Sequence, residues 1–314
     1  MKSAKRTPLK QSSTLNALCG ANVYLKLENL QKTGSFKIRG AANKVHRLTG
    51  AEGERGVIAA SAGNHAQGVA YSASKRGISA VIFMPQTAPQ AKVEAVAAYG
   101  AQVVLTGQTY QEAFLAACEH QKESGRYFIH AFDDVDVIAG QGTVALEMIQ
   151  QQPELDVVVI PVGGGGLIAG MSACIKALKP SIRVIGVQAA GAAASYNRFK
   201  HKFPYSLVNA ASIADGIAVK EPGSLTYPHI EKFVDDMVTV TEEEIAAAIV
   251  FMAEREKMLT EGAGAVSLAA VLHKPHLQKH KKIGAVISGG NLDIDTMLAC
   301  RRLNAAFKRS KKIV

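Results

Sequence analysis

The chain has 314 residues, 48% of them apolar and 20% charged, and carries a formal net charge of +10. About two domains of ordinary size fit that length, and the composition excludes a disordered, collagenous or fibrous chain. No apolar stretch approaches the roughly 18 residues of a membrane span, and Met1-Lys2-Ser3-Ala4-Lys5-Arg6 runs into Thr7-Pro8 without a signal-peptide core, so a cytoplasmic protein with no membrane partner is expected.

The positive charge raises the question of nucleic acid, but its distribution argues for a solvated surface. Apart from Lys279-His280-Lys281-Lys282 and the tail Lys308-Arg309-Ser310-Lys311-Lys312, basic residues are scattered, tryptophan is absent and no nucleic-acid module is recognisable. Cys19, Cys118, Cys174 and Cys300 are too few and too far apart for a disulfide framework or a zinc site, and read as reduced thiols.

In chain order, the first distinctive segment is Thr33-Gly34-Ser35-Phe36-Lys37-Ile38-Arg39-Gly40, which places a lysine between apolar residues at a helix start. Such a lysine is either a desolvated, nucleophilic amine or a snorkelling surface residue, and spacing does not choose between them. Apolar β-branched runs then alternate with helical segments: 56–60 before 64–76, 80–84 before 89–99, and 102–105 before 109–124. Tyr71, Phe83 and Met84 read as core.

The first of these strand-to-helix joints is Ser61-Ala62-Gly63-Asn64-His65. It is either a helix cap built on Ser61 or Asn64, or a loop whose amides suit a carboxylate. Asp133-Asp134 reads as a cap before Val135 rather than as paired acids for hydrolysis.

Alternation resumes with a strand at 156–160, a helix at 167–179 and a strand at 183–187. Gly163-Gly164-Gly165-Gly166 joins the first two, so bare amides converge on a positive helix end in a phosphate cradle. Gly164, Gly166 and Ala169 also satisfy a loose dinucleotide fingerprint. That motif wants an acid about 20 residues on, where Gln188 stands, so a smaller phosphate-bearing group is favoured over a nicotinamide cofactor.

From about 189 to 240 the pattern lapses, and helices are expected again at 242–257 and 263–272. His273, His276 and His280 sit among lysines that repel a cation, so a solvated loop and no metal are expected. A last strand at 283–287 leads into Ser288-Gly289-Gly290-Asn291. Strands this apolar belong to parallel sheets covered on both faces, and the class is α/β with three anion-friendly loops at strand C-termini.

The segments Glu28-Asn29-Leu30-Gln31-Lys32-Thr33 with Gly34–Ala41, Ser61–Gly68, Ile138-Ala139-Gly140-Gln141-Gly142-Thr143, the glycine tetrad, Ala214-Asp215-Gly216, Glu261-Gly262-Ala263-Gly264-Ala265 and Ser288–Asn291 together resemble the pyridoxal-phosphate-dependent threonine dehydratase and serine racemase family, fold type II. The short catabolic dehydratases are the most similar branch. The resemblance implies a tryptophan-synthase-β-like fold of two open, twisted, mostly parallel sheets flanked by helices. It places a small domain at 53–139 within a large one formed by 1–52 and 140–314, with the active site in the cleft.

By the same resemblance, Lys37 forms the internal Schiff base with pyridoxal 5'-phosphate and then shuttles the α-proton. Gly163, Gly164, Gly165, Gly166 and Leu167 hold the cofactor phosphate, Asn64 the pyridine 3-oxygen, and Ser288 faces the pyridine nitrogen. Ser61, Ala62, Gly63, Asn64 and His65 take the substrate carboxylate. A neutral Ser288 need not keep the ring nitrogen protonated, which favours early loss of a β-hydroxyl over a long-lived carbanion.

The implied reaction is dehydration and deamination of L-threonine, and of L-serine, to 2-oxobutanoate or pyruvate plus ammonia, in a homodimer or homotetramer. The alternatives are a serine racemase, a 3-hydroxyaspartate dehydratase, or a catalytically inactive phosphate- or nucleotide-binding regulator. Two departures bear on these. Ala62 replaces the serine that serves the racemases as second acid/base, and Gln188 with Ala189-Ala190-Gly191-Ala192-Ala193-Ala194 replaces their acidic cation site. With the sequence ending at Val314, no amino-acid-sensing C-terminal domain like that of the biosynthetic dehydratases is expected, and the helix that usually precedes the Arg6–Leu9 segment is expected to be missing.

Overall fold

The computed structural model describes residues 3–311; Met1, Lys2 and residues 312–314, and with them part of the N-terminal segment and of the basic tail, lie outside the described residues. The strands are β1 (Leu9–Gln11), β2 (Asn22–Leu27), β3 (Val57–Ala60), β4 (Ala80–Met84), β5 (Gln102–Leu105), β6 (Tyr127–Phe128), β7 (Val157–Pro161), β8 (Arg183–Ala189), β9 (Asp236–Val240) and β10 (Lys282–Ile287). They form two sheets, one in each of two compact units. The smaller unit is Phe36–Gln141 with the described residues up to Lys5, and the larger is Arg6–Ser35 with Gly142 onward.

In the smaller unit the order β5-β4-β3-β6 is parallel throughout. Alternation along β3 and β4 divides the core between two faces. Val57, Ala59, Ile82 and Met84 pack with Val69 and Ala73 of the helix Asn64–Arg76, while Ile58, Ala60, Val81 and Phe83 pack with Ala117 of the helix Tyr110–Ser124. Phe83 and Met84 are buried as expected, and Tyr71 lies edge-on to Tyr99. The main segment of this unit begins at Phe36, and Ala41, Val45 and Leu48 from the helix Lys37–Arg47 and its end share the Val57–Val69 core.

In the larger unit the order is β1-β2-β10-β7-β8-β9, parallel except where β1 runs against β2. Val23, Leu25, Val159, Ile185 and Ala285 bury one face against the helices Glu242–Phe251 and Gly262–His273. Pattern reading passes over three of these strands. β2 hides because Lys26 interrupts its apolar run, yet Lys26 is fully buried: its amine donates to Thr7 O (2.8 Å), Glu147 Oε2 (2.6 Å) and Gln151 Oε1 (3.0 Å). β1 is only three residues long, and β9 lies in the stretch where alternation lapses.

Three expectations are corrected. The helix expected over 242–257 ends at Phe251 and continues as a π-type turn over Met252–Glu256, closed by Lys257 at φ 60°. His273 is not in a solvated loop; it ends the helix Gly262–His273 with its ring edge-on to Phe307. Neither Ser61 nor Asn64 caps the helix Asn64–Arg76: Gly63 holds that position, and the Ser61 hydroxyl oxygen instead accepts from Gly63 N at 3.2 Å. No helix among the described residues is long and apolar enough to cross a membrane.

Candidate active site

Lys37 is the first residue of the helix Lys37–Arg47, which packs closely against the helix Asn64–Arg76. A Cβ on Gly68 would lie 3.2 Å from Ile38 N and 3.3 Å from the Lys37 carbonyl carbon, so glycine is what lets the two helices meet there. The same contact brings Lys37 to the helix that follows the Ser61–His65 loop. The lysine is half-buried and its Nζ donates to the Ala131 carbonyl at 2.8 Å.

His65 is 3% exposed. Its Nε2 lies 2.8 Å from the Ile129 carbonyl, which has no proton to give, so Nε2 carries the hydrogen and Nδ1 is left as an acceptor. Burial, reinforced by the Lys37 charge, pushes its pKa down to about 3 despite the Ile129 bond, and the ring is neutral. Lys37 and His65 therefore hang from main-chain carbonyls two residues apart on the segment that follows β6.

His130, between those carbonyls, has its pKa lowered by burial, with Asp133 opposing; its Nδ1 accepts from Asp133 N (2.8 Å) and Phe132 N (3.3 Å). The segment ends in a cap as expected: Asp134 Oδ1 accepts from Asp136 N (2.8 Å) and Val137 N (3.0 Å) at the start of the helix Val135–Gln151. Lys44 reaches both acids, 2.8 Å from Asp134 and 3.0 Å from Asp136. Burial works against its charge, but the two carboxylates outweigh it and raise Lys44 above the ordinary lysine range.

In the larger unit β7 and β10 are parallel neighbours, so the loops that follow them leave the same edge of the sheet. The glycine loop after β7 is shaped by close approach. Gly165 sits at φ +97°, where a Cβ would lie 2.7 Å from Thr226 Oγ1, and a Cβ on Gly163 would lie 2.9 Å from Ile217 Cα. Thr226 Oγ1 donates to Gly164 O at 2.6 Å and Gly223 N donates to the same oxygen at 3.2 Å, so that carbonyl is engaged by the protein itself. Gly166 and Leu167 then open the helix Gly166–Leu178, whose first amides have no intrahelical acceptor.

After β10, Ser288 is 2% exposed and its hydroxyl donates to Ala263 O at 3.2 Å. The turn is clamped to the segment before Lys37: Gly290 N donates to Gly34 O (2.9 Å), Asn291 Nδ2 to Thr33 O (3.0 Å), and Ser35 bridges Gly289. At the end of β8, Gln188 Oε1 accepts from Tyr196 N at 2.7 Å.

The expected site residues thus form two constellations. Lys37 and the Ser61–His65 loop come together in the smaller unit, and the Gly163–Gly166 loop with Leu167 and the Ser288 turn leave one sheet edge in the larger. Sequence reasoning misses Thr226, Gly223 and the carbonyls of Ile129 and Ala131. Thr226 stands 62 residues from the glycine it supports, and a main-chain acceptor has no residue signature. A glycine loop packed too closely against Ile217 and Thr226 to carry side chains at Gly163 and Gly165, opening a helix N-terminus, fits a phosphate monoester, and a carbonyl-anchored lysine amine fits an aldehyde.

Comparison with known proteins bears on this chemistry. The family model of pyridoxal-phosphate-dependent enzymes matches residues 2–289. The chain is 51% identical over 290 residues to the L-threonine ammonia-lyase of Thermotoga maritima, covering 92% of this chain and 72% of that one. It is 47% identical to the catabolic L-threonine dehydratase TdcB of Staphylococcus aureus over 92% of this chain and 85% of the relative. The structure of the processed threonine deaminase isoform 2 of Solanum lycopersicum superposes with a TM-score of 0.92 at 38% identity, over 96% of this chain and 89% of that one. The fold and this kinship have the same explanation: the chain belongs to the pyridoxal-phosphate-dependent enzyme family and adopts its type II fold.

Proposed function

We propose that this protein is an ammonia-lyase that removes water from L-threonine, and from L-serine, and releases 2-oxobutanoate or pyruvate with ammonia. The observation that carries this reading is the extent of its kinship with L-threonine ammonia-lyases, and the geometry of the two constellations supports it. We read the protein as cytoplasmic and homo-oligomeric, and the smaller unit as the inserted domain of the family.

When bound, pyridoxal phosphate supplies the electron-withdrawing ring that makes the substrate's α-proton removable and its β-hydroxyl a leaving group. Lys37 would hold the cofactor through its Nζ, and that amine, when free, would take the substrate's α-proton. The Ala131 carbonyl orients that amine. Gly163, Gly164, Gly165, Gly166 and Leu167 would present amides to the phosphate, Asn64 would hold the 3-oxygen of the ring, and Ser288 would serve its nitrogen. Residues 61–65 take the substrate carboxylate on their amides. Ala62 has no hydroxyl with which to return a proton from the opposite face, which favours elimination over racemisation.

The test is a keto-acid assay on cofactor-loaded protein with L-threonine, L-serine and L-3-hydroxyaspartate in separate reactions, alongside Lys37→Ala and with chiral analysis of the serine samples. 2-Oxobutanoate from threonine, lost in the variant, is the expected result. D-serine without keto acid would replace this reading with a racemase.

A further inference from the structure

The reaction above gives the imidazole of His65 no task. Its Nδ1 is buried and has no hydrogen-bond partner among the described residues. A buried acceptor left open is costly, and native structures retain one where a ligand fills it. Because Nε2–H is committed to the Ile129 carbonyl at 2.8 Å, the ring cannot turn over to offer its proton instead. Burial and the nearby Lys37 keep it neutral, so it accepts and does not donate.

We propose that His65 Nδ1 is the acceptor for the substrate's β-hydroxyl, and thereby the residue that selects hydroxy amino acids over their unhydroxylated analogues. The proposal rests on the reading of the protein as a hydroxy amino acid lyase. Such a substrate brings two proton-bearing groups, its amine and its hydroxyl. The amine is engaged by the cofactor, the carboxylate has no proton at working pH, and the hydroxyl remains. Lys37 and His65 hang from the carbonyls of Ala131 and Ile129, two residues apart, so the group that takes the α-proton and the group that holds the oxygen on the adjacent carbon share one support. A neutral acceptor cannot protonate the departing oxygen. His65 therefore acts on binding, through the penalty a site imposes on a ligand that leaves its polar group unpaired.

Two isosteric variants separate the two ring nitrogens. In His65→Gln the carboxamide nitrogen reaches the place of Nε2 and keeps the Ile129 bond, but nothing accepts at the place of Nδ1; His65→Asn does the reverse. His65→Gln is expected to keep the cofactor absorption spectrum and the melting temperature, to raise KM for L-serine about tenfold, the worth of one hydrogen bond, and to leave Ki for L-alanine within about twofold. His65→Asn is expected to retain the serine-over-alanine preference.

If the role were only structural, both constants would move together, and an unchanged KM to Ki ratio in His65→Gln overturns the proposal. Wild-type enzyme gives a check that needs no variant: O-methyl-L-serine, which keeps the oxygen but lacks the donor proton, must bind no better than L-alanine, and tighter binding overturns the proposal. Keto acid release separates the two levels. Wild-type protein that forms none from serine or threonine defeats the lyase reading, whereas turnover with an unchanged ratio defeats the role of His65 alone.

Discussion

A neutral buried histidine couples folding to pH. His65 has a pKa of about 3 in the fold, and about 6.5 is the ordinary value in an unfolded chain. The folded value is depressed, so the unfolded state binds the proton first as pH falls. The contribution is whole above about pH 6.5 and is lost progressively toward pH 3. Between pH 7.5 and 5.5 this linkage removes about 1.4 kcal/mol of stability. Urea titrations at the two pH values are expected to show that loss in the wild type and a smaller one in His65→Gln. Equal losses would place the proton elsewhere, with His130, whose pKa is also lowered, as the next group to replace.

Among elements, the contact between the helices Lys37–Arg47 and Asn64–Arg76 depends on Gly68. Its missing Cβ leaves 3.2–3.3 Å to the backbone of Lys37 and Ile38, and backbone does not yield as a flexible side chain does. Gly68→Val is expected to cost about 1–3 kcal/mol by overpacking and to displace Lys37. A lowered urea midpoint together with loss of the cofactor's absorption band would report both effects; a lowered midpoint with the band intact would show that Lys37 is held without this contact. Element by element, the sequence discloses what obeys a period. β3, β4, β7, β8 and β10 are apolar runs ahead of helices or at the chain's last strand position, and all are where pattern reading places them. β2 escapes because its central Lys26 is paid for by partners at Thr7, Glu147 and Gln151, and no local pattern carries distant partners.

For the whole molecule, the chain passes between the two units more than once: Arg6–Ser35 belongs to the larger, Phe36–Gln141 to the smaller, and Gly142 onward to the larger again. Composition does not mark these crossings, because one lies between Ser35 and Phe36 inside a motif and another within the helix Val135–Gln151. A fragment spanning 36–141 retains Ala41, Val45 and Leu48 against Val69 and is expected to melt cooperatively; one spanning 53–139 loses that layer and is expected to bind a hydrophobic dye without a sharp transition. Equal behaviour of the two fragments would show that the first helix is dispensable to that core. The candidate site was legible, as a proposal, where chemistry demands a residue type, as in Lys37, the glycine loop and Ser288. It was illegible where the work falls to Thr226 or to main-chain oxygens, whose part in the site is set by the path of the chain.

The anchors of Lys37 and His65 are carbonyls, and no substitution of one amino acid for another deletes a carbonyl. The side chains at 129 and 131 can therefore change in size and polarity while both anchoring oxygens remain. Position 131, an alanine whose carbonyl holds Lys37, is where mutation can reshape the surroundings of the amine without removing the group it leans on, and a library for altered substrate preference is best started there.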